Sequence, residues 1–196
     1  NNFEAGNFSE ATTASFSADM FLGAVTGGPK NDETEPDTLG DGVMAGYSFQ
    51  IDLNTSFTGE DSLDISIDAG NTSATTLGIA EFDGNGGGDT LSVDGVSYTF
   101  PLGDKTTVIV GDNTDGSALF TTACAYGGPS DTLDDCGNVN AGITNGGAMA
   151  GASYDFGNGL TTAVGYAAGE TDMATGLMSK ETLDAYGVNA AYTGDN

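Results

Sequence analysis

Val43-Met44-Ala45-Gly46-Tyr47-Ser48-Phe49-Gln50-Ile51-Asp52-Leu53-Asn54 changes side-chain character at nearly every step. Val43, Ala45, Tyr47, Phe49, Ile51 and Leu53 fall on one face, and Gly46, Ser48, Gln50, Asp52 and Asn54 on the other, with only Met44 out of pattern. Successive side chains of a β-strand point to opposite sides, so this period of two predicts a strand with one apolar and one wetted face. The stretch 62–70 repeats it, setting Leu63, Ile65, Ile67 and Ala69 against Ser62, Asp64, Ser66, Asp68 and Gly70.

Working outward, eight strands are expected near 14–25, 43–54, 61–70, 91–101, 105–112, 147–157, 160–168 and 182–193. In the first, Phe16, Ala18, Met20, Leu22 and Ala24 alternate with Ser15, Ser17, Asp19, Phe21 and Gly23. In the fourth, Leu91 and Val93 give way to Val96, Tyr98 and Phe100, so the apolar face changes phase at Asp94-Gly95 and a bulge is expected there. The connections run long and short in turn. Short links are expected at Thr55 to Glu60, at Pro101-Leu102-Gly103-Asp104 and at Asn158-Gly159, the last a strong hairpin signal. Long polar ones span 26–42, 71–90, 113–146 and 169–181; Leu77, Ile79 and Phe82 in the second are taken as loop, because a full strand there breaks the order.

This pattern suits an all-β, antiparallel transmembrane β-barrel, which needs tilted strands of roughly 9–11 residues, tight turns at one end and long loops at the other. Eight strands make about half of a large porin, so 1–196 reads as one partial barrel. Tyr-x-Phe recurs at Tyr47/Phe49, Tyr98/Phe100 and Tyr154/Phe156, and the last two precede short turns, as rings at a membrane-water interface would. A soluble β-sandwich with aromatics in its core is the alternative. An eight-stranded closed barrel would need a lumen packed with side chains, which inward Gly and Asp fill poorly.

Composition narrows the function. Three Lys, no Arg and 29 acidic residues give a net charge of −26, a field that repels nucleic acid and attracts cations. No run of about 18 apolar residues exists, so an α-helical span is not expected, whereas barrel strands escape that test. Glycine is abundant, at 32 residues, and sits within strand patterns as small inward residues that would suit a curving sheet. The chain opens on Asn1-Asn2 with no leader to read, so a mature or truncated form is expected. Cys124 and Cys136 in a polar loop suggest a disulfide formed in an oxidising compartment; two free thiols are the alternative.

Enzymatic chemistry finds little support. The chain has no His, which removes Ser-His-Asp triads and H-E-x-x-H zinc sites. Gly151-Ala152-Ser153-Tyr154-Asp155 lacks the final Gly of a nucleophile elbow and lies in a strand pattern, and Gly23 to Lys30 lacks the Gly-Lys-Ser/Thr ending of a phosphate loop. Asp83, Asn85 and Asp89 in a Gly-rich run offer a weak calcium candidate, but only one imperfect copy of that repeat is present, so no metal or cofactor is expected. The best functional segment is 113–146. It carries Asp115, Asp131, Asp134 and Asp135 around the two Cys, with Leu119, Phe120 and Tyr126 to anchor it against a wall. Folded into a pore it would constrict it and favour cations; a solvated outer loop is the alternative. On the strands, Asp19, Gln50, Asp52, Asn54, Asp64 and Asp68 oppose the apolar stripe and would line a channel.

Thr13-Ala14-Ser15-Phe16-Ser17-Ala18, Ile51-Asp52-Leu53-Asn54-Thr55-Ser56-Phe57-Thr58-Gly59 and Val96-Ser97-Tyr98-Thr99-Phe100-Pro101-Leu102-Gly103-Asp104 resemble the outer-membrane porins of cyanobacteria. The segments Asp115-Gly116-Ser117-Ala118-Leu119-Phe120, Asp134-Asp135-Cys136-Gly137-Asn138 and Tyr154-Asp155-Phe156-Gly157-Asn158-Gly159-Leu160 are similar too. The resemblance implies a large barrel related to carbohydrate-selective and iron-uptake porins. It would lie in the cell outer membrane, against lipid, and pass small hydrophilic solutes and cations. Such porins usually also carry a signal peptide and a surface-layer-homology module, neither of which is read here. A homotrimer is one assembly that stays open, as does the solute, and a secreted calcium-stabilised β-rich adhesin or surface-layer protein is the alternative function.

Overall fold

The computed structural model describes residues 3–5, 11–23, 43–71, 88–121, 143, 146–169, 176–180 and 183–194. Nine strands form one antiparallel sheet in chain order: β1 (Phe3–Ala5), β2 (Thr12–Gly23), β3 (Met44–Thr55), β4 (Ser62–Gly70), β5 (Ser92–Pro101), β6 (Thr106–Asp112), β7 (Gly146–Asp155), β8 (Leu160–Gly169) and β9 (Asp184–Tyr192). The eight expected strands are all present, each within two residues of its expected ends. The ninth, β1, is too short for alternation to reveal. Among the described residues β1 and β9 do not pair, so the sheet is open.

The sheet keeps the expected long and short order. Tight links join β3 to β4, β5 to β6 and β7 to β8, and the long connections all leave from the opposite end. The phase change at Asp94-Gly95 is a bulge: Ser66 pairs with Gly95 and Ile67 with Val93, so Asp94 is the extra residue. Everything downstream keeps its apolar side on one face because of it.

Register makes each face continuous. Ala14–Leu53, Phe16–Ile51, Ile51–Ile67 and Ile67–Val93 carry the apolar face across β2 to β5. Tyr98–Val110, Val110–Ala150, Ala150–Tyr166 and Tyr166–Tyr186 carry it on to β9. Directly opposed side chains of this kind are the unit of sheet stabilisation. No second described layer covers this face. Met20 is 84 % exposed and Val188 81 %, with Leu22, Val164, Tyr186 and Tyr192 also in the open.

Aromatic rings collect on this face towards both ends. At the turn end Tyr98 lies 5.4 Å from Phe100 and 6.2 Å from Phe57, and Tyr154 lies 4.8 Å from Phe156. Towards the loop end Tyr166 and Tyr186 sit 5.2 Å apart. Along β9, Tyr186 and Tyr192 bracket an apolar stretch about 20 Å long at roughly 3.4 Å per residue.

The β3–β4 turn is organised by Asp61, 7 % exposed. Its Oδ1 accepts from the Phe57 and Thr58 amides at 3.0 and 2.7 Å and from the Ser56 and Thr58 hydroxyls at 2.9 and 2.7 Å, while its Oδ2 accepts from the Tyr98 hydroxyl at 2.6 Å. The Tyr98 hydroxyl, followed by the Thr58 and Ser56 donors, holds the Asp61 carboxyl well below the usual carboxylate range, against the upward push of burial. A depressed folded value means that the stabilisation is complete above the unfolded value of about 4 and is lost as pH falls below it through the folded one. Asp61→Asn should therefore melt at a lower temperature at neutral pH and lose less of its remaining stability on acidification than the parent. Melting curves at neutral and acid pH check this; parallel declines would reject the role given to Asp61.

Candidate functional site

The face opposite the apolar one is polar on β2 to β5 and lined by small residues on β6 to β9. Its carboxylates are tied to neutral donors. Asp52 accepts from Gln50 Nε2 at 2.7 Å and Ser66 Oγ at 2.8 Å, Asp64 from Asn54 Nδ2 at 2.6 Å and Ser62 Oγ at 2.7 Å, and Asp68 from Ser92 Oγ at 2.8 Å. Gln50 pairs with Asp68 across β3 and β4, Asp52 with Ser66 and Asn54 with Asp64, so five of the six strand side chains expected to line a channel share one wall. Asp19 joins them opposite Ser48. The chain has no Arg, so no guanidinium offsets this wall, and its field stays open to mobile cations.

The segment after β6 turns onto the same face. Asn113 Nδ2 donates to the Asp94 carbonyl at 2.7 Å, tying the start of the loop to the bulge. Residues 114–121 then cross the sheet towards β9. Asp115, half-buried, organises the crossing: its carboxylate accepts from the Ser117 amide at 2.8 Å and from the Ser117 hydroxyl, and Gly116 donates to the Ile143 carbonyl at 2.8 Å. Phe120 and Ile143 are buried with Ile109, Met149, Ala163 and Ala167, and Leu119 packs beside them. The cluster thus lies on the polar side of the sheet, under the described part of the loop.

Glycines in the strands make room for this crossing. A Cβ at Gly95 would meet Thr114 Cγ2 at 2.5 Å, and one at Gly165 would strike the Gly116 carbonyl. One at Gly187 would meet Ile143 Cδ1 at 2.6 Å and Phe120 Cζ at 3.0 Å. Gly151, Gly165 and Gly187 stand directly opposite one another on β7, β8 and β9, forming a shallow seat for the loop backbone. Between loop and wall a polar cleft of about 350 Å³ is lined by Ser66, Asp94, Asn113, Thr114 and Asp115, among others.

The anchoring of segment 113–146 by Leu119 and Phe120 is as expected, and of its four carboxylates the described part places Asp115. Asp131, Asp134, Asp135, Tyr126, Cys124 and Cys136 lie outside the described residues, as do Leu77, Ile79, Phe82, Asp83 and Asn85. Asp89, the remaining calcium candidate, follows Gly88 in a turn at positive φ. Among the described residues no group of three or more His, Cys, Asp or Glu is placed to hold a metal ion. The seat was missed in the sequence, where inward Gly was assigned to sheet curvature. Asn189 was missed as well; its signal is one amide in the otherwise small and apolar run of β9.

Fold and site together define a class: an antiparallel meander with one apolar face that no second described layer covers and one polar face partly closed by residues 114–121 and 143. No protein-family model, curated protein or solved structure matches this chain.

Proposed function

We propose that this chain is a segment of an outer-membrane β-barrel porin forming a water-filled, cation-favouring diffusion channel for small hydrophilic solutes. One observation carries the reading. An apolar face runs across the sheet between aromatic clusters with no second described layer over it, while the opposite face presents hydrogen-bonded carboxylates and amides. In water so large an apolar surface would be costly and prone to association. In lipid the same face becomes the outer band, about 25 Å tall and flanked by aromatic girdles, and the polar face becomes the lumen. The open edges of β1 and β9 must then pair within a closed barrel, because unpaired backbone groups are not tolerated in hydrocarbon. The loop on the polar face acts as the constriction, and the sequence resemblance to cyanobacterial porins is in keeping with all of this. Carbohydrates and inorganic ions, iron included, are the solute classes to try.

Refolding the native protein into detergent micelles, and separately into water with calcium, tests the proposal. A band whose gel mobility changes on boiling, obtained only with micelles, is expected. A compact fold in water that needs calcium would overturn the porin in favour of a secreted adhesin.

A further inference from the structure

At Thr121 the described part of the loop is tied to β9 and β8 by side-chain hydrogen bonds. Asn189, on the polar face of β9, accepts from the Thr121 amide through Oδ1 at 3.2 Å and donates to the Thr121 carbonyl through Nδ2 at 3.2 Å. An amide that both gives and takes at a single residue reads its backbone as a neighbouring strand would, and so fixes position as well as distance. The Thr121 hydroxyl also lies 3.0 Å from that of Thr161 on β8. Asn189 itself pairs with Ala163 across β8, beside the Gly165–Gly187 pair that receives Ile143 and Phe120.

The apolar contacts and the clamp do different things. Phe120 and Ile143 press the loop onto a smooth surface of Gly and Ala, where packing is non-directional and would tolerate sliding along the strands. The Thr121 bonds are directional and single-valued. We propose that Asn189 is the positioning residue that sets the place of the loop across the channel, and with it the free cross-section left along the β3–β5 carboxylate wall. The proposal rests on the porin reading for its consequence in transport, while the clamp can be tested without it.

The experiment combines hydrogen exchange with single-channel recording on the native protein, comparing the parent with Asn189→Ala and Asn189→Asp. The aspartate retains an acceptor for the Thr121 amide but sets a carboxylate against the Thr121 carbonyl. Loss of both bonds in Asn189→Ala is expected to speed exchange of the Thr121 amide about tenfold, the equivalent of about 1.4 kcal/mol. Asn189→Asp should exchange faster than the parent too. Open-channel current should become larger and noisier in both variants, with the melting temperature held. Ala190→Ser, on the opposite face of the same strand, is the control expected to change neither readout. Where an Asn189 variant does not fold, Thr161→Val replaces it, with a smaller change in the same direction.

Unchanged Thr121 exchange would overturn the clamp whatever the channel does. Faster exchange with unchanged current in a conducting protein would overturn its control of the cross-section. A parent that does not conduct removes the porin reading and with it the role in transport, leaving the exchange result to decide the clamp.

Discussion

On the proposed porin reading, Gly165→Val should open the channel, giving a several-fold rise in single-channel conductance and new protease sensitivity in residues 113–121. The reason is steric and directional. A Cβ at this position runs into the Gly116 carbonyl, and backbone cannot swing aside as the end of a long side chain can. Overpacking of this kind costs about 1–3 kcal/mol even where some relaxation is possible. Valine adds two methyl groups beyond the Cβ, which lift the segment far enough to break the contacts of Phe120 and Ile143 with the seat at Gly187. Those contacts are what hold the loop, since burying a Phe or Ile side chain is worth about 1.5–3 kcal/mol. The strand has no objection of its own, because a β-branched residue suits an extended backbone. Ala152→Val, one residue from Gly151 and facing the other way, is the control and should conduct as the parent does. Equal conductance in the two variants would mean that the loop on the polar face does not limit flow.

The second large effect is electrostatic. Among the described residues Asp52, Asp64 and Asp68 share one wall and bond neutral partners, so changing all three to Asn removes three charges from that wall while keeping side-chain shape. A carboxylate about 8 Å from a passing cation contributes about 0.5 kcal/mol in water. Screening at 0.1 M salt, where the Debye length is about 10 Å, cuts this by about half. Three charges then stabilise a cation by about 0.7 kcal/mol and destabilise an anion by as much, so their removal should lower the cation-to-anion permeability ratio roughly tenfold. At 1 M the Debye length is about 3 Å, and parent and triple variant should become nearly alike. Reversal potentials under a salt gradient at both concentrations measure this. A parent without cation preference at 0.1 M, or a triple variant that keeps it, would show that selectivity is not set by this wall.

Much of the sheet was legible because alternation is a local signal. Ile51, Asp52 and Leu53 declare their faces from neighbouring residues alone, and Asp94-Gly95 shows a bulge through the same bookkeeping of odd and even positions. Turn chemistry was local too: Asn158-Gly159 closes a hairpin with Gly159 at positive φ. Asp61 was not foreseen: its donors in the turn are local, at Ser56, Phe57 and Thr58, but the Tyr98 hydroxyl on its other oxygen arrives from another strand 37 residues away. The inward glycines were seen and misassigned. A glycine within a strand states that something is missing without stating what comes near, and here it is the chain itself, returning from 116, 120 and 143.

Alternation and turn residues alone specify a meander of strands with one apolar and one polar face, linked by long and short connections in turn. Each of those properties follows from the two-residue period of extended backbone and from turn residues whose preferences act within a few positions. Which face residues 114–121 cover, that Gly151, Gly165 and Gly187 line up to receive them, and that Asn189 bonds Thr121 were settled by the tertiary structure alone. Those facts depend on register across strands distant in the chain and on contacts over long sequence separations, and no local period encodes them.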